Sequence, residues 1–188
     1  MALQWRAHIA ASAVLAAGFL AAVSAHAQSK LPPTVTAVID YQRILRDARA
    51  ARAIRDQVES RRKLYQDQIA KEEQRLHDVD RELATKRSEL PSDQFAALRA
   101  SFEGDVAAVQ RMAQERRRQL DQVAAASLNE VRSAMLHVVG ELADSRGFNL
   151  VLPTSGLLMF SPAIDLTNDV LTRLDAELPN VTVPEKVD

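Results

Sequence analysis

The sequence predicts a mainly α-helical protein in which a long antiparallel helical hairpin is attached to a small β-rich base. Of its 188 residues only 4% are aromatic and five are glycine, too few for the strands and turns of a single-chain sandwich or barrel. The segment 41–90 contains neither glycine nor proline, and its apolar residues recur at steps of three and four. Runs of β-branched and apolar residues flank the helical region, at 34–39 and 148–160.

The first 27 residues have the plan of a secretory signal peptide. Arg6 is the only charged side chain before an apolar run at 9–23, and Ala25 and Ala27 occupy the small-residue positions of a cleavage site. We expect cleavage near Ala27 and export to a bacterial periplasm, with an uncleaved membrane anchor as the alternative. The chain has no cysteine, which excludes a lipoprotein, disulfides and thiol chemistry.

The next part of the chain predicts one strand and one long helix. After a flexible lead-in at 28–34, the β-branched run 34–39 predicts a strand, and Asp40 is a good N-cap for the helix that follows. An apolar stripe then continues to Leu90. It predicts a single helix of about 50 residues, because no residue in it is expected to break a helix.

A second helix is predicted after Pro91, and its apolar stripe ends at Gly147, a residue typical of helix C-termini. If the chain folds back at Pro91, residue i faces a residue numbered near 182 − i. Pairs such as Ile69 and Ala113 are then apolar on both sides, which favours an antiparallel hairpin over 41–146. Two helices of a compact bundle are the alternative, but they would require further long helices.

The C-terminal region predicts a return to extended structure. Residues 148–152 and 157–160 predict two strands, and 166–178 predicts a short amphipathic helix capped by Asp165. Residues 179–188 are expected to form a flexible tail.

The predicted base, residues 28–40 and 147–178, is too small to be stable alone. Three strands of about five residues cannot cover both faces and both edges of a sheet, so we expect a ring of identical protomers joined through their strands. The side chains expected to carry this association are Val35, Val38, Leu150, Val151, Leu152, Leu157, Leu158 and Phe160.

No pattern typical of an enzyme is present. His8 and His26 belong to the signal, and His77 and His137 lie several turns apart in the hairpin register, so we expect no metal site. Neither a glycine-flanked nucleophile nor a phosphate-binding loop is found. The 24 basic and 25 acidic residues nearly cancel, which gives no indication of nucleic-acid binding. We expect neither catalysis nor a cofactor.

The segments that flank the hairpin resemble the Skp/OmpH family of periplasmic chaperones. The resemblance is carried by Val38-Ile39-Asp40, by Gly147-Phe148-Asn149-Leu150-Val151-Leu152 and by Asp165-Leu166-Thr167-Asn168-Asp169-Val170-Leu171. It implies a homotrimer in which a small intersubunit β-barrel carries three helical arms around a cavity. It also implies ATP-independent binding of unfolded outer-membrane proteins, which prevents their aggregation. A structural coiled-coil adaptor of the cell envelope, without chaperone activity, is the alternative.

Six basic residues are predicted to form a belt part-way along the hairpin. In the predicted register they fall at nearly the same height: Arg61, Arg62, Lys63, Arg116, Arg117 and Arg118. Consecutive residues on a helix point about 100° apart, so three cations in a row cannot all face acids of their own helix. Some are expected to bind client carboxylates or the phosphates of lipopolysaccharide or an anionic membrane surface. Ordinary ion pairs along each helix are the alternative.

Overall fold

The structure, a computed structural model, describes residues 31–186. Its elements are, in order, β1 (Thr36–Ile39), α1 (Tyr41–Asp47), α2 (Arg49–Lys86), α3 (Ser92–Arg146), β2 (Leu150–Pro153) and α4 (Thr167–Glu177). Single 3₁₀ turns at Thr154–Gly156 and Pro162–Ile164 lie between β2 and α4. The predicted signal peptide lies outside the described residues. Within 31–186, no helix combines the length and apolar character needed to cross a bilayer.

Helices α2 and α3, of 38 and 55 residues, form an antiparallel hairpin with a turn at 87–91. An ion pair between Arg75 and Asp105, at 3.3 Å, and the Arg116 guanidinium, 4.6 Å from the centroid of the Tyr65 ring, join the two helices. The residue numbers of these pairs add up to 180 and 181, close to the predicted value near 182. Gly147 ends α3 with a φ of 75°, a conformation that glycine adopts without strain.

The prediction of one continuous helix over 41–90 is wrong at Ala48, where a ψ of 139° separates α1 from α2. An Asp175 side-chain oxygen on α4 accepts a hydrogen bond from the backbone N–H of Arg49 at 2.7 Å, and the Arg49 side chain pairs with the same carboxylate at 3.4 Å. Helix α4 therefore supplies the cap with which α2 begins. The local sequence gives no sign of the break because the capping residue lies 126 positions away.

The base is organised around β1. Strand β2 pairs with it in parallel, from Thr36 opposite Leu150 to Ile39 opposite Pro153, so the whole hairpin is the crossover connection. On the other side of β1, the carbonyl of Val38 accepts a hydrogen bond from the N–H of Leu166 at 2.9 Å. Within the described residues, β2 is paired on one side only, so its outer edge is open.

The predicted strand at 157–160 does not form in this chain. Leu157 has extended backbone angles, but no described segment pairs with these residues. Leu158 is fully exposed and Met159 is 88% exposed. An isolated extended segment cannot satisfy its own backbone groups, so a strand there requires a partner from outside the chain.

The hydrophobic core lies at the base end of the hairpin, where α1, α2, α3 and α4 meet. Its fully buried members include Ile44, Ile54, Val123, Val131, Val138, Leu142, Val170 and Leu174. The hairpin beyond Val58 and Leu120 contributes only Leu76 and Val109 to the buried residues described. The packing core therefore occupies the base-proximal part of the hairpin.

The C-terminal segment differs from the flexible tail predicted for 179–188. Val181 and Val183 are each only 3% exposed and belong to the same hydrophobic cluster as Val58 and Leu120. The side chain of Gln57 on α2 forms hydrogen bonds to the backbone of both valines. The segment 181–185 is therefore docked along the hairpin. Its two valines pack against the edge of the hydrophobic core.

Candidate functional site

The structure brings members of the predicted basic belt together on the hairpin. Arg62 on α2 and Arg116 and Arg117 on α3 line one open groove of about 390 Å³. The groove lies between the two helices, and its remaining lining residues are Tyr65, Gln66, Ile69, Ala113, Leu120 and Asp121. It therefore combines guanidinium groups with an aromatic ring and small apolar surface.

Ion pairs within each helix occupy part of the belt. Arg62 pairs with Glu59 at 2.8 Å, and Arg118 pairs with Glu115 at 3.0 Å. Both pairs follow the i, i+3 spacing and are about half exposed or more, so each contributes little to stability. Arg62 and Arg118 therefore form ordinary ion pairs along their own helices, which was the alternative interpretation of the belt.

Arg116 and Arg61 are held by neutral groups. The Arg116 guanidinium lies over the Tyr65 ring and donates a hydrogen bond to the side-chain oxygen of Gln119 at 3.3 Å. Arg61 donates to the backbone carbonyls of Val183 at 3.2 Å and Pro184 at 2.6 Å. A guanidinium bound to uncharged partners keeps its full positive charge available to an anion nearby.

Lys63 and Arg117 complete the belt. Over residues 31–186, neither side chain has a hydrogen bond or an ion pair. Both residues are exposed, and Arg117 also faces the groove. Among the described residues, the belt therefore presents two cations without protein partners, next to two whose charge is not neutralised by an acid.

Towards the tip of the hairpin, polar interactions replace the core. Arg75 pairs with Glu72 at 2.9 Å on its own helix and with Asp105 at 3.3 Å across the hairpin. Two hydrogen bonds raise the pKa of Arg75 above its ordinary value. The bond to Glu72 contributes most, and the bond to Asp105 contributes next. A hydrogen bond from Arg81 lowers the pKa of Asp78. The charged forms of these exposed groups are therefore favoured.

The residues predicted for oligomerisation divide into three groups. Val35 and Leu150 are 48% and 40% exposed, and Leu158 is fully exposed, so their side chains are open to a partner. Val38 is buried inside its own chain and contributes to packing there. Val151, Leu152, Leu157 and Phe160 are half-buried. Met159, which is outside the set predicted from the sequence, is also exposed beside Leu158.

The fold also assembles a group that the sequence analysis did not identify. Potential ligand atoms of His137, Glu141 and Glu177 all lie within 4.8 Å of one another, and the three residues are exposed. His137 and Glu141 are neighbours at i, i+4 on α3, whereas Glu177 comes from the end of α4. Only the packing of α4 on α3 places Glu177 there. The exposure of all three side chains is typical of an ordinary surface ion-pair network.

Comparisons with known proteins agree with this architecture. The family model described as "Outer membrane protein (OmpH-like)" matches residues 35–174. A solved structure from Caulobacter crescentus CB15, provisionally described as an OmpH-like outer membrane chaperone, is 16% identical in sequence and superposes with a TM-score of 0.77. The match covers 84% of this chain and 94% of that chain, and at this identity it concerns the fold. No curated protein matches the sequence significantly.

Proposed function

Because the chain belongs to the OmpH-like family of outer membrane proteins, we propose that it is an ATP-independent chaperone of the bacterial periplasm. It binds unfolded outer-membrane proteins and prevents their aggregation. The observation that carries the proposal is the division of the hairpin into a packed proximal part and a long distal part with little core of its own. A helical arm that packs against little else is available to contact another polypeptide.

The distal arm offers many weak contacts. Exposed Leu64 and Leu98, the methyl groups of alanines and the aliphatic parts of Arg, Lys and Glu side chains give scattered apolar surface. Each contact is weak, but several arms that hold one chain raise the overall affinity through effective concentration. Such binding needs no nucleotide, because the client leaves when it reaches a more favourable environment such as the membrane.

We propose that three copies assemble through their bases. The open edge of β2 supports this, and so do residues 157–160, which pair with no described segment, because both offer backbone groups to a partner. Leu150, Leu158 and Met159 add exposed apolar surface at the same part of the chain. An intersubunit barrel would satisfy these groups and would hold three arms around a common cavity.

A change at the base tests the assembly. Leu158→Asp should abolish the trimer without unfolding the protomer, because Leu158 makes no buried contact within its own chain. Light scattering after size exclusion would measure the mass. Leu136→Asp, at an exposed position of α3, is the matched control and should leave the mass unchanged. A monomeric wild-type protein at micromolar concentration would contradict the proposal.

The basic belt is proposed as the anion-binding part of the client surface. Lys63→Gln with Arg117→Gln removes the two cations without protein partners and should weaken binding of an acidic unfolded barrel protein, with a smaller salt dependence. Arg81→Gln with Arg99→Gln, two residues already paired with acids on their own helices, is the charge-matched control. Parallel measurements with lipopolysaccharide and with anionic vesicles distinguish a protein client from a phosphate-bearing lipid.

The chaperone activity itself is tested by dilution of a urea-unfolded outer-membrane barrel protein into buffer with and without the chain, with light scattering as the measurement. Deletion of 76–86 together with 92–102 shortens both arms by about three turns and retains the native turn at 87–91. The shortened protein should remain trimeric and lose most of its protection. Full protection by the shortened protein would place binding at the base, and no protection by the wild type would favour the alternative, a structural coiled-coil adaptor.

A further inference from the structure

The docked C-terminal segment 181–185 forms hydrogen bonds to the hairpin through its backbone. The Gln57 side chain donates a hydrogen bond to the carbonyl of Val181 at 2.8 Å, and its side-chain oxygen accepts one from the N–H of Val183 at 3.0 Å. One amide group thus satisfies a carbonyl and an N–H two residues apart. Neighbouring strands pair with an extended peptide in the same way, through groups common to every residue.

Two further side chains extend this pattern along the segment. Arg61 donates to the carbonyls of Val183 and Pro184, and Gln119 on α3 donates to the carbonyl of Glu185 at 2.7 Å. All the segment's hydrogen bonds to Gln57, Arg61 and Gln119 use its backbone. We call the surface formed by these three residues the tail groove. These hydrogen bonds do not distinguish between residue types, because they use only groups that every peptide backbone carries.

Side chains of the segment alternate between buried and exposed. Val181 and Val183 are each 3% exposed and pack into the core edge, whereas Thr182 and Pro184 face outward. This period of two is the signature of an extended strand with one apolar face. The groove therefore accepts an extended peptide with small apolar side chains at positions i and i+2.

The surface suited to such a peptide continues past the docked segment. An open recess lined by Asp56, Gln57, Ser60, Arg61 and Leu64 adjoins the groove, and Leu64 is 54% exposed. The basic belt begins at Arg61 in the same region. A longer occupant could use the apolar surface of Leu64 and the cations of the belt, which the segment 181–185 leaves largely uncovered.

We propose that the tail groove is a binding site for extended segments of non-native polypeptides with alternating apolar residues, and that the C-terminal segment is its intramolecular occupant. The source of these polypeptides rests on the proposed chaperone function. Membrane-spanning β-strands have this alternation, since every second side chain faces lipid. A client that displaces the segment would take over the hydrogen bonds that Arg61 now donates to the carbonyls of Val183 and Pro184.

The short connection between α4 and the segment 181–185 determines how strongly the segment competes with another peptide for the tail groove. Only three residues separate Glu177, the last residue of α4, from Val181, and a short tether gives an effective concentration of the order of millimolar. A free peptide at micromolar concentration should therefore bind poorly to the wild-type chain. A client held by several arms at once can compete, because its segments also reach the groove at high effective concentration.

Full-length variants test whether the segment can be released while the residues of the tail groove stay unchanged. Val181→Ser with Val183→Ser should release the segment while Gln57, Arg61 and Gln119 stay in place. The control is Asn180→Ser with Thr182→Ser, which changes the two exposed neighbours. Hydrogen exchange at the backbone amide of position 183, in the wild type and in both variants, reports on release because the bond to Gln57 protects that amide. Circular dichroism verifies that helix content is unchanged.

The probe is a fluorescently labelled peptide with the sequence of residues 177–186, measured by fluorescence anisotropy. It should bind the released variant roughly tenfold or more tightly than the wild type or the control. A peptide with serine in place of both valines should bind neither protein. Addition of Gln57→Ala to the released variant should abolish binding of the probe, because the substitution removes both backbone contacts of that side chain.

The inference is wrong if the serine variant exchanges like the wild type, if it is released but does not bind the probe, or if binding is indifferent to Gln57→Ala. The aggregation measurement on an unfolded barrel protein distinguishes these results from failure of the proposed function. Probe binding without protection by any variant would support the groove and contradict the chaperone. Protection by the wild type without probe binding to the released variant would support the chaperone function and contradict the groove.

Discussion

The proximal and distal halves of the hairpin have similar helices but are held together differently. In the proximal half, apolar side chains such as Ile54, Val131 and Leu142 are fully buried. In the distal half only Leu76 and Val109 are buried among the described residues, and the Arg75–Asp105 ion pair connects the two helices. The proximal half is packed from several sides because α1, α4 and the segment 181–185 reach it.

Two helices alone bury little surface. An isolated pair of helices can hide only the narrow seam between them, whereas a third or fourth element covers more of each helix. Stability is therefore concentrated at the base, and the distal arms are free to adapt to another chain.

Leu142→Ala and Leu136→Ala make the same chemical change on one helix at a buried and an exposed position. Leu142 is fully buried in the proximal core, so its truncation should lower the free energy of unfolding by about 2–5 kcal/mol. Leu136 is 61% exposed, and its truncation should change stability by less than about 0.5 kcal/mol. Urea unfolding at one fixed protein concentration measures both. Equal effects would contradict the location of the core.

Asp175→Ala removes the side-chain cap at the start of α2 and should lower the free energy of unfolding by about 1 kcal/mol. Asp175→Asn is the matched control, because asparagine retains an oxygen that accepts a hydrogen bond and loses only the charge. It should therefore preserve most of the stability. Identical losses in the two variants would assign the effect to the ion pair with Arg49 instead of to the cap.

Asp105→Asn should act locally in the distal half. It removes the ion pair across the hairpin to Arg75, so amide exchange should accelerate near the tip while the urea midpoint of the whole protein stays unchanged. Arg99→Gln breaks an ion pair within α3 and is the control. An effect of Asp105→Asn on the global midpoint would show that the two halves unfold together.

The smallest expected effect concerns pH. Because a hydrogen bond from Arg81 lowers the pKa of Asp78, ionised Asp78 stabilises the folded arm at pH values above its ordinary pKa of 3.8. This contribution should be lost as the pH falls through the lowered pKa of the folded state. Local amide exchange around Asp78, measured from neutral to acidic pH, should accelerate in the wild type. In Asp78→Asn this component of the pH response should be absent.

Much of the architecture could be predicted from local sequence patterns. The apolar stripes, Pro91 and Gly147 predicted two helices and their turn, and the register rule near 182 placed Tyr65 and Arg116 at the same height. Asp40 caps α1 by accepting a hydrogen bond from the N–H of Arg43 at 2.8 Å, as expected. These features are local, or follow from one reversal of the chain, so nearby residues are enough to specify them.

The candidate site could be predicted only in part. The sequence identified the six cations of the basic belt, but it could not determine that Arg61 binds the C-terminal segment or that Arg117 has no partner within the described chain. The valines at 181 and 183 gave a signal of period two, yet so short a segment after α4 is not enough to predict a docked strand. Its partner Gln57 is 124 positions from Val181.

Local sequence patterns specify where the chain is helical, where it reverses and which charges lie at the same height along the hairpin. Tertiary structure alone decided the break at Ala48, the unpaired state of 157–160, and the docking of Val181 and Val183. The physical reason is that helix formation depends on neighbours three and four residues apart, whereas caps, edges and grooves depend on groups that only the folded chain brings together.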